Sequence, residues 1–332
     1  MHELSSPPGQ TGRDEVVPVA VVGIGSIGQA VAAAVLDSPG LRLVAAIDND
    51  SKLVGRALSE VLGRPAGDLR VEHETPETLR RARGGVLLQL TGSRLAVVAD
   101  QIERAVELGL NVVTSCEEMA FPWMSDPAFA DEVEEAAARA QVSVLGMGVN
   151  PGFVLDRLIV TLGSVAGKVS RVTAERVVDA STRREALRRK IGVGMTREEF
   201  ERAAAAEEIG HVGLAESAAL VSAGLALGCD EFDETVEPVL SAEAAGGRVA
   251  GIRQEVRGFA SGREAVTLSL LMAAGAPDPH DTIVIEGSPP MSVRTTGIPG
   301  DLATVWSLVN AIPAVVTAEP GLLTVLDLPS GR

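Results

Sequence analysis

Residues 16–38 read VVPVAVVGIGSIGQAVAAAVLDS, and this stretch decides the fold class. An apolar run leads into Gly23, Gly25 and Gly28, which have the spacing G-x-G-x-x-G, and an alanine-rich segment with helical periodicity follows. Asp48 comes twenty residues after Gly28, at the end of the next apolar run. A strand, a glycine turn, a helix and then an acidic residue are typical of a dinucleotide-binding βαβ unit. A tight turn without a ligand is the alternative.

The same alternation of short apolar runs and helical segments continues to about residue 150. It predicts an α/β fold whose N-terminal domain, residues 16–150, is a Rossmann-type doubly wound parallel sheet. The preceding residues 1–15 contain acids, prolines and glycine but no apolar run, so we expect a disordered leader rather than a signal peptide.

The pattern changes at GVNPGF, residues 148–153, where glycine and proline interrupt the chain. Longer strand candidates of mixed polarity follow, and they predict a second α+β domain with an open mixed sheet over residues 151–299. The segment GDLATVWSLVNAIPAVV is predicted to be a helix with Asp301 as its N-cap. We expect residues 300–332 to return and complete the first domain.

Composition excludes several classes of protein. A net charge of -16 argues against a nucleic-acid partner, and no apolar stretch reaches membrane-spanning length without a charge or a breaker. Two cysteines and four scattered histidines give no metal-ligand spacing, so we expect no metal. The chain has no tyrosine, which excludes dehydrogenases that use a tyrosine proton donor. A cytoplasmic protein is expected.

The glycine motif and the predicted strand ends define a cofactor site. Gly23 allows the tight turn, Gly25 allows close approach of the pyrophosphate, and Gly28 allows helix–strand packing. The predicted cofactor-binding residues are Gly23, Gly25, Ser26, Ile27, Gly28, Asp48, Asn49, Ser51, Lys52, Thr91, Gly92, Ser93 and Asn150. The cofactor is NAD or NADP: Asp48 favours the ribose of NAD, whereas Ser51 and Lys52 would hold the phosphate of NADP if Asp48 turned aside. We favour NAD slightly and regard use of both as plausible.

Two adjacent carboxylates, Glu117 and Glu118, follow the predicted strand NVVT. The carboxyl end of a strand in an open parallel sheet is where ligands bind, so both are catalytic candidates. Adjacent side chains on one loop cannot face the same point, and we expect one to be catalytic and the other solvated or capping. The alternative is that both only begin a helical turn.

Six other residues are candidates for a substrate pocket: Cys116, Phe121, Pro122, Phe153, Arg176 and His211. Cys116 has no adjacent residue that would activate it, so an inert buried thiol is the alternative. Phe121 and Pro122 would wall an apolar pocket or simply pack. Arg176, like Arg183, could clamp a carboxylate substrate. His211 could reach the cleft from the second domain or remain a surface or capping residue.

Several motifs together resemble one family. They are GIGSIG, LTGS, NVVTSCEEM, GVNPGF, ERVVDAS, KIGVG, GHVGLAES and PGDLATV. In order and spacing they resemble the 2,4-diaminopentanoate dehydrogenase group, including native amine dehydrogenases, which is distantly similar to dihydrodipicolinate reductase. The resemblance implies a homodimer and a catalytic glutamate in the CEE motif, where we favour Glu117.

It also implies a reaction: reversible NAD(P)-dependent oxidative deamination of an amine, or reductive amination of a ketone with ammonia. A carboxylate beside the reacting nitrogen would stabilise the iminium that accepts hydride. One rival is a dehydrogenase of a carboxylated substrate such as 2,4-diaminopentanoate or dihydrodipicolinate. Another is a non-catalytic NAD(P)-binding sensor.

Overall fold

A computed structural model describes residues 16–183, 185–241, 247–329 and 331 of the 332-residue chain. The predicted leader lies outside the described residues. In chain order the elements are β1 (Val17–Val22), α1 (Ser26–Asp37), β2 (Leu41–Ile47), α2 (Leu58–Leu62), β3 (Val71–Glu72), α3 (Pro76–Arg80), β4 (Val86–Gln89), α4 (Leu95–Glu107), β5 (Asn111–Thr114), a 3-10 helix (Glu117–Ala120), α5 (Pro127–Ala140), β6 (Ser143–Gly146), α6 (Arg157–Gly163), β7 (Val169–Asp179), α7 (Glu185–Lys190), α8 (Arg197–Ala205), α9 (Leu214–Gly224), β8 (Glu231–Leu240), β9 (Val249–Ala260), β10 (Arg263–Ala273), β11 (His280–Gly287), β12 (Met291–Thr295), α10 (Gly300–Thr317) and β13 (Gly321–Leu323).

The first sheet has seven parallel strands in the order β13-β6-β5-β4-β1-β2-β3. Its strands are continuous apolar runs because helices cover both faces. Alternate residues of β1 show this: Val19 and Val21 pack with α1 and α10, and Ala20 and Val22 pack with α4 and α5. The doubly wound Rossmann-type sheet expected from the sequence is confirmed.

The second sheet has six strands in the order β12-β11-β7-β10-β9-β8. The central pair β7 and β10 is parallel, and the remaining pairs are antiparallel. Its inner face buries Ile252, Val266, Leu268 and Ile283 in a core shared with α6 and α9. The mixed sheet expected for the second domain is confirmed.

The end of the chain returns to the first sheet. Helix α10 packs on α1 and lies against β5, and β13 pairs in parallel with β6 at the sheet edge. The prediction that Asp301 caps α10 was wrong: Pro299 occupies the N-cap position, and Asp301 lies in the first turn, where it accepts a hydrogen bond from Arg183. The ion pair with Arg183 replaces the expected cap.

Of the helices in the described ranges, α10 alone is long and apolar enough to cross a membrane by length and composition. Leu308 and Ile312 of this helix are fully buried against the first domain, in the core that also contains Val31 and Val35 of α1. One face of α10 therefore packs into the core of the first domain.

Candidate active site

The three glycines after β1 play different roles. Gly23 has φ +93°, and a Cβ on it would lie 2.7 Å from the Leu90 carbonyl oxygen. A Cβ on Gly28 would lie 1.7 Å from the Gly23 carbonyl oxygen. A Cβ on Gly25 would meet no protein atom within 4 Å. The protein's own packing thus requires Gly23 and Gly28, whereas Gly25 leaves open space in front of the loop.

That space is a cavity of about 300 Å³ at the N-terminus of α1, which we call the cofactor cavity. Eight of the predicted cofactor-binding residues line it: Gly25, Ser26, Ile27, Gly28, Thr91, Gly92, Ser93 and Asn150. No side chain caps α1, and its first turn has no acidic residue. A helix N-terminus with its positive end open and an unobstructed Gly25 fits the pyrophosphate of a dinucleotide.

The other predicted cofactor residues lie outside this lining. Gly23 forms the turn beneath it, while Asp48, Asn49, Ser51 and Lys52 follow the end of β2. The Asp48 carboxylate accepts hydrogen bonds from the backbone N–H of Ile24, at 2.6 Å, and of Asp50, at 2.8 Å. Asp48 is therefore held against the glycine loop and does not turn aside.

A second cavity of about 300 Å³ opens beside the first, and we call it the substrate cavity. The two cavities share the lining residues Glu117, Val149, Asn150, Lys190, Asp301 and Thr304. Part of the substrate cavity is apolar, with Val178, Leu187, Ile191, Leu270 and Met272 in its wall. The shared residues mark the junction at which a bound cofactor and a substrate would meet.

The two adjacent glutamates separate at this junction. Glu117 begins the 3-10 helix after β5, lines both cavities, and lies 3.5 Å from Nζ of Lys190. Glu118 lines neither cavity; its carboxylate accepts a 2.6 Å hydrogen bond from the Leu95 N–H at the start of α4 and lies 3.3 Å from Arg94. Glu118 thus stabilises a helix N-terminus, and Glu117 alone faces the cavities.

Lys190 is a site residue that the sequence analysis missed. It ends α7, donates a 2.9 Å hydrogen bond to Ser93 Oγ, and pairs with Glu117. Two signals in the sequence pointed to it: the chain has just three lysines, and Lys190 begins the motif KIGVG. Asp301 and Thr304 were missed as lining residues because they reach the junction from the distant end of the chain.

His211 does reach the cleft, and its backbone is firmly held. Gln254 of β9, which is buried, accepts a hydrogen bond from the His211 N–H and donates one to the His211 carbonyl oxygen, each 2.7 Å long. The ring atom Nε2 lies 2.9 Å from Nδ2 of Asn150. Burial, with the Lys190 charge adding to it, lowers the pKa of the imidazole to about 3. His211 is therefore neutral at ordinary pH.

Both arginines proposed as carboxylate clamps line the substrate cavity, but each has an acidic partner in the protein. Arg176 is buried and bonds Asp281, at 2.9 Å, and the Ile298 carbonyl oxygen, at 2.7 Å. Arg183 bonds Asp301 at 2.9 Å. Their charges are already balanced within the fold.

Four other residues of the predicted pocket line neither cavity. Cys116 lies in the apolar core of the first domain, where burial raises the pKa of its thiol to about 12. Phe121 packs on the core, with its ring centroid 5.3 Å from that of Trp123, and Pro122 is buried. Phe153 is exposed at the surface. After Glu117 the chain turns inward to the core, so the aromatic cluster is packing.

The arrangement is therefore a carboxylate placed between the cofactor cavity at the glycine loop and a partly apolar cavity. Within the described ranges, no group of three or more His, Cys, Asp or Glu residues could hold a metal ion. A carboxylate in this position can stabilise a cation on a substrate and exchange a proton with it.

Comparison with known proteins gives two family matches. Residues 153–332 match the 2,4-diaminopentanoate dehydrogenase C-terminal domain, and residues 17–116 match the N-terminus of dihydrodipicolinate reductase.

Relatives match over nearly the whole chain. The 2,4-diaminopentanoate dehydrogenase of Acetoanaerobium sticklandii is 28% identical, covering 96% of this chain and 95% of that protein. An amine dehydrogenase of Streptomyces virginiae is 26% identical, covering 95% and 96%. The structure of an amine dehydrogenase from Mycobacterium smegmatis superposes with a TM-score of 0.84 at 24% identity, covering 96% of this chain and 98% of that one. At that identity the superposition shows a shared fold.

Proposed function

The chain belongs to the 2,4-diaminopentanoate dehydrogenase family, and we propose from this that it is an NAD(P)-dependent amine dehydrogenase. The family membership confirms the resemblance expected from the motifs. The reaction is the reversible oxidative deamination of an amine, which in reverse is the reductive amination of a ketone with ammonia. The observation that carries this proposal is the position of Glu117 between the two cavities.

The cofactor would lie along the glycine loop, with its pyrophosphate at Gly25 and the N-terminus of α1. When bound in its reduced form, the nicotinamide supplies a hydride to the carbon of a C=N bond. Thr91, Gly92 and Ser93 continue the same wall toward Glu117 and would direct the cofactor to the junction.

Glu117 handles charge and protons at the reacting nitrogen. Its carboxylate accepts a proton from ammonium, which frees ammonia to attack the ketone carbon. It returns that proton to the oxygen of the carbinolamine, which leaves as water and gives an iminium. Glu117 is then ionised beside the iminium cation. A preorganised charge of this kind typically raises kcat by a factor of about 10²–10³. The partly apolar cavity makes the stabilisation necessary, because an unpaired cation there would be costly.

A ketone or amine without a carboxylate fits the substrate cavity better than a carboxylated one. A carboxylate would need an uncommitted cation. Each cation of the cavity wall instead has an acidic partner: Arg176 has Asp281, Arg183 has Asp301, and Lys190 has Glu117. The apolar wall suits an aliphatic or cyclic chain beside the reacting carbon. We therefore favour simple ketones over diamino acids.

NAD is the favoured cofactor. The Asp48 carboxylate is fixed by two backbone N–H groups at the end of β2. A carboxylate fixed there suits ribose hydroxyls and repels a 2′-phosphate.

We also propose that the protein is a cytoplasmic homodimer in which the outer face of the second sheet meets its counterpart. This face presents Thr173, Thr267, Ser269 and Leu271, which are only partly buried in one chain. Light scattering after size exclusion tests the dimer, and a monomer at micromolar concentration would contradict it.

The decisive experiment measures oxidation of NADH and NADPH with a panel of small ketones, with and without ammonium. We expect oxidation that depends on ammonium, and we expect Glu117→Gln to reduce kcat by about 10²–10³ with cofactor affinity retained. Oxidation that does not need ammonium would make the protein a carbonyl reductase and refute the proposal.

Glu118→Gln is the matched control, because it alters the neighbouring carboxylate. Its amide oxygen can still accept from the Leu95 N–H, so we expect near-normal kcat and a modest loss of stability. Loss of activity in Glu118→Gln with activity retained in Glu117→Gln would transfer the catalytic role to Glu118.

A further inference from the structure

Asn150 has an acceptor atom without a partner at the junction of the two cavities. Its Oδ1 is buried and receives no hydrogen bond from any described residue. Asn150 lines both the cofactor cavity and the substrate cavity. A buried carbonyl oxygen is rarely left unpaired in a folded protein, so an atom of this kind in a cavity wall points to a donor on a ligand.

His211 contacts the nitrogen of the Asn150 amide. The imidazole is neutral, so one of its ring nitrogens must accept rather than donate. Nε2 lies 2.9 Å from Asn150 Nδ2, and an amide nitrogen can only donate. Nε2 is therefore the acceptor, and this contact directs Oδ1 of Asn150 away from His211. The two hydrogen bonds between Gln254 and the His211 backbone restrict the position of His211.

Asn150 and Glu117 lie on segments that approach each other beside Gly213. A Cβ built on Gly213 would be 3.0 Å from Cβ of Glu117 and 2.5 Å from Cδ of Pro151, the residue bonded to Asn150. Glu117 and Asn150 both line the wall that the two cavities share. This region offers two acceptor groups.

We propose that Asn150 is the second acceptor for the reacting nitrogen and that it makes ammonia the preferred nitrogen donor. This inference rests on the proposed function. The iminium formed from ammonia has two N–H bonds, one for Glu117 and one for Asn150. The iminium formed from methylamine has one N–H bond and a methyl group, so one of the two acceptors loses its donor. The pair of acceptors therefore selects against alkylamines.

The test compares ammonia with methylamine as nitrogen donor, with one ketone and one cofactor, in the wild type and in Asn150→Ala. Because ketone and cofactor are the same in both assays, their effects cancel in the ratio of kcat/KM values. We expect the wild type to favour ammonia and Asn150→Ala to reduce that preference roughly tenfold to hundredfold, as expected for one hydrogen bond to a charged group. An unchanged ratio would overturn the proposal, even if both rates fell.

Asn310→Ala, at an exposed position of α10, is the matched control and should keep the wild-type ratio. His211→Leu should reduce the ratio as well, because it frees the amide to rotate, and His211→Gln should restore part of it by supplying another acceptor. If His211→Leu kept the full ratio, the orienting role of His211 would be wrong.

A binding measurement separates this inference from the proposed function. Calorimetry on the protein saturated with NADH compares a primary amine, whose ammonium form has three N–H bonds, with its N,N-dimethyl derivative, whose ammonium form has only one. We expect the wild type to bind the primary amine more tightly and Asn150→Ala to lose that difference. If the wild type lacks turnover but still discriminates through Asn150, the proposed reaction fails and the acceptor role stands. Equal affinities in the wild type would refute the acceptor role whatever the turnover.

Discussion

The two cavities have similar volumes but are assembled differently. The cofactor cavity is built largely from segments that directly follow β1, β4, β5 and β6, and its key glycines lie within six consecutive residues. The substrate cavity draws on β7, α7, β10 and α10, which are far apart in the chain. The shape of the cofactor cavity depends on local backbone geometry, whereas the shape of the substrate cavity depends on pairs of charged and polar side chains that are distant in the sequence. Substitutions should therefore affect them in different ways.

The buried ion pair of the substrate cavity gives the largest expected effect. Arg176→Met leaves Asp281 buried without its cation and should lower the free energy of unfolding by about 3–5 kcal/mol. The Arg183–Asp301 pair is more exposed, so Arg183→Met should cost only about 0–1 kcal/mol. Urea unfolding of both variants measures the difference. Equal losses of unfolding free energy in the two variants would mean that burial does not strengthen the Arg176–Asp281 pair.

The glycine loop provides the corresponding test on the cofactor side. Gly28→Ala forces a Cβ onto the Gly23 carbonyl oxygen and should lower the free energy of unfolding by up to about 3 kcal/mol. The same substitution should also weaken cofactor binding. Gly25→Ala meets no protein atom, so its melting temperature should stay normal while its affinity for NADH falls. Thermal unfolding and fluorescence titration separate the two effects. Normal cofactor affinity in Gly25→Ala would show that the pyrophosphate lies elsewhere.

Glu216 links the two domains and should make stability depend on pH. Its carboxyl accepts a 3.0 Å hydrogen bond from Ser125, and burial raises its pKa to about 7 from the ordinary 4.5. The unfolded chain ionises this group first, so its contribution to stability is complete below pH 4.5 and is lost as pH rises through 7. The loss should be roughly 3 kcal/mol.

Denaturation at several pH values measures this dependence. In Glu216→Gln the loss between pH 4.5 and 7 should shrink by that amount, whereas Glu208→Gln, at an exposed position, should retain it in full. If the wild type and Glu216→Gln showed the same pH dependence of stability, Glu216 would not be its cause.

The smallest effect concerns the choice of cofactor. Asp48→Ser removes the carboxylate that repels a 2′-phosphate, so the ratio of NADPH to NADH efficiency should rise about tenfold, or about 1.4 kcal/mol. Asp50→Ser, in the following turn, should leave the ratio unchanged. Steady-state kinetics with both cofactors measures it, and a fixed ratio in Asp48→Ser would place the determinant elsewhere.

The same contrast explains what could be predicted from the sequence. A contiguous motif gave the glycine loop, and the rule that ligands bind at strand ends gave Glu117 and Asn150. Lys190 and Thr304 were not predicted to line the site, because no local sequence pattern shows that α7 and α10 approach β5. Phe121 and Pro122 were misplaced because the direction of the chain after Glu117 depends on core packing. Strand β8 is hard to predict from the sequence because it is mostly exposed and polar, without the alternation typical of a half-buried strand.

The position of β13 has a consequence for how the protein is made. This edge strand of the first sheet pairs with β6, yet the whole second domain lies between them in the chain. A ribosome must therefore synthesise the entire second domain before the first sheet gains its last strand. Until then β6 is an unprotected edge, and such edges attract other unfinished chains. The nascent protein should consequently depend on chaperones most strongly just before its last strand emerges.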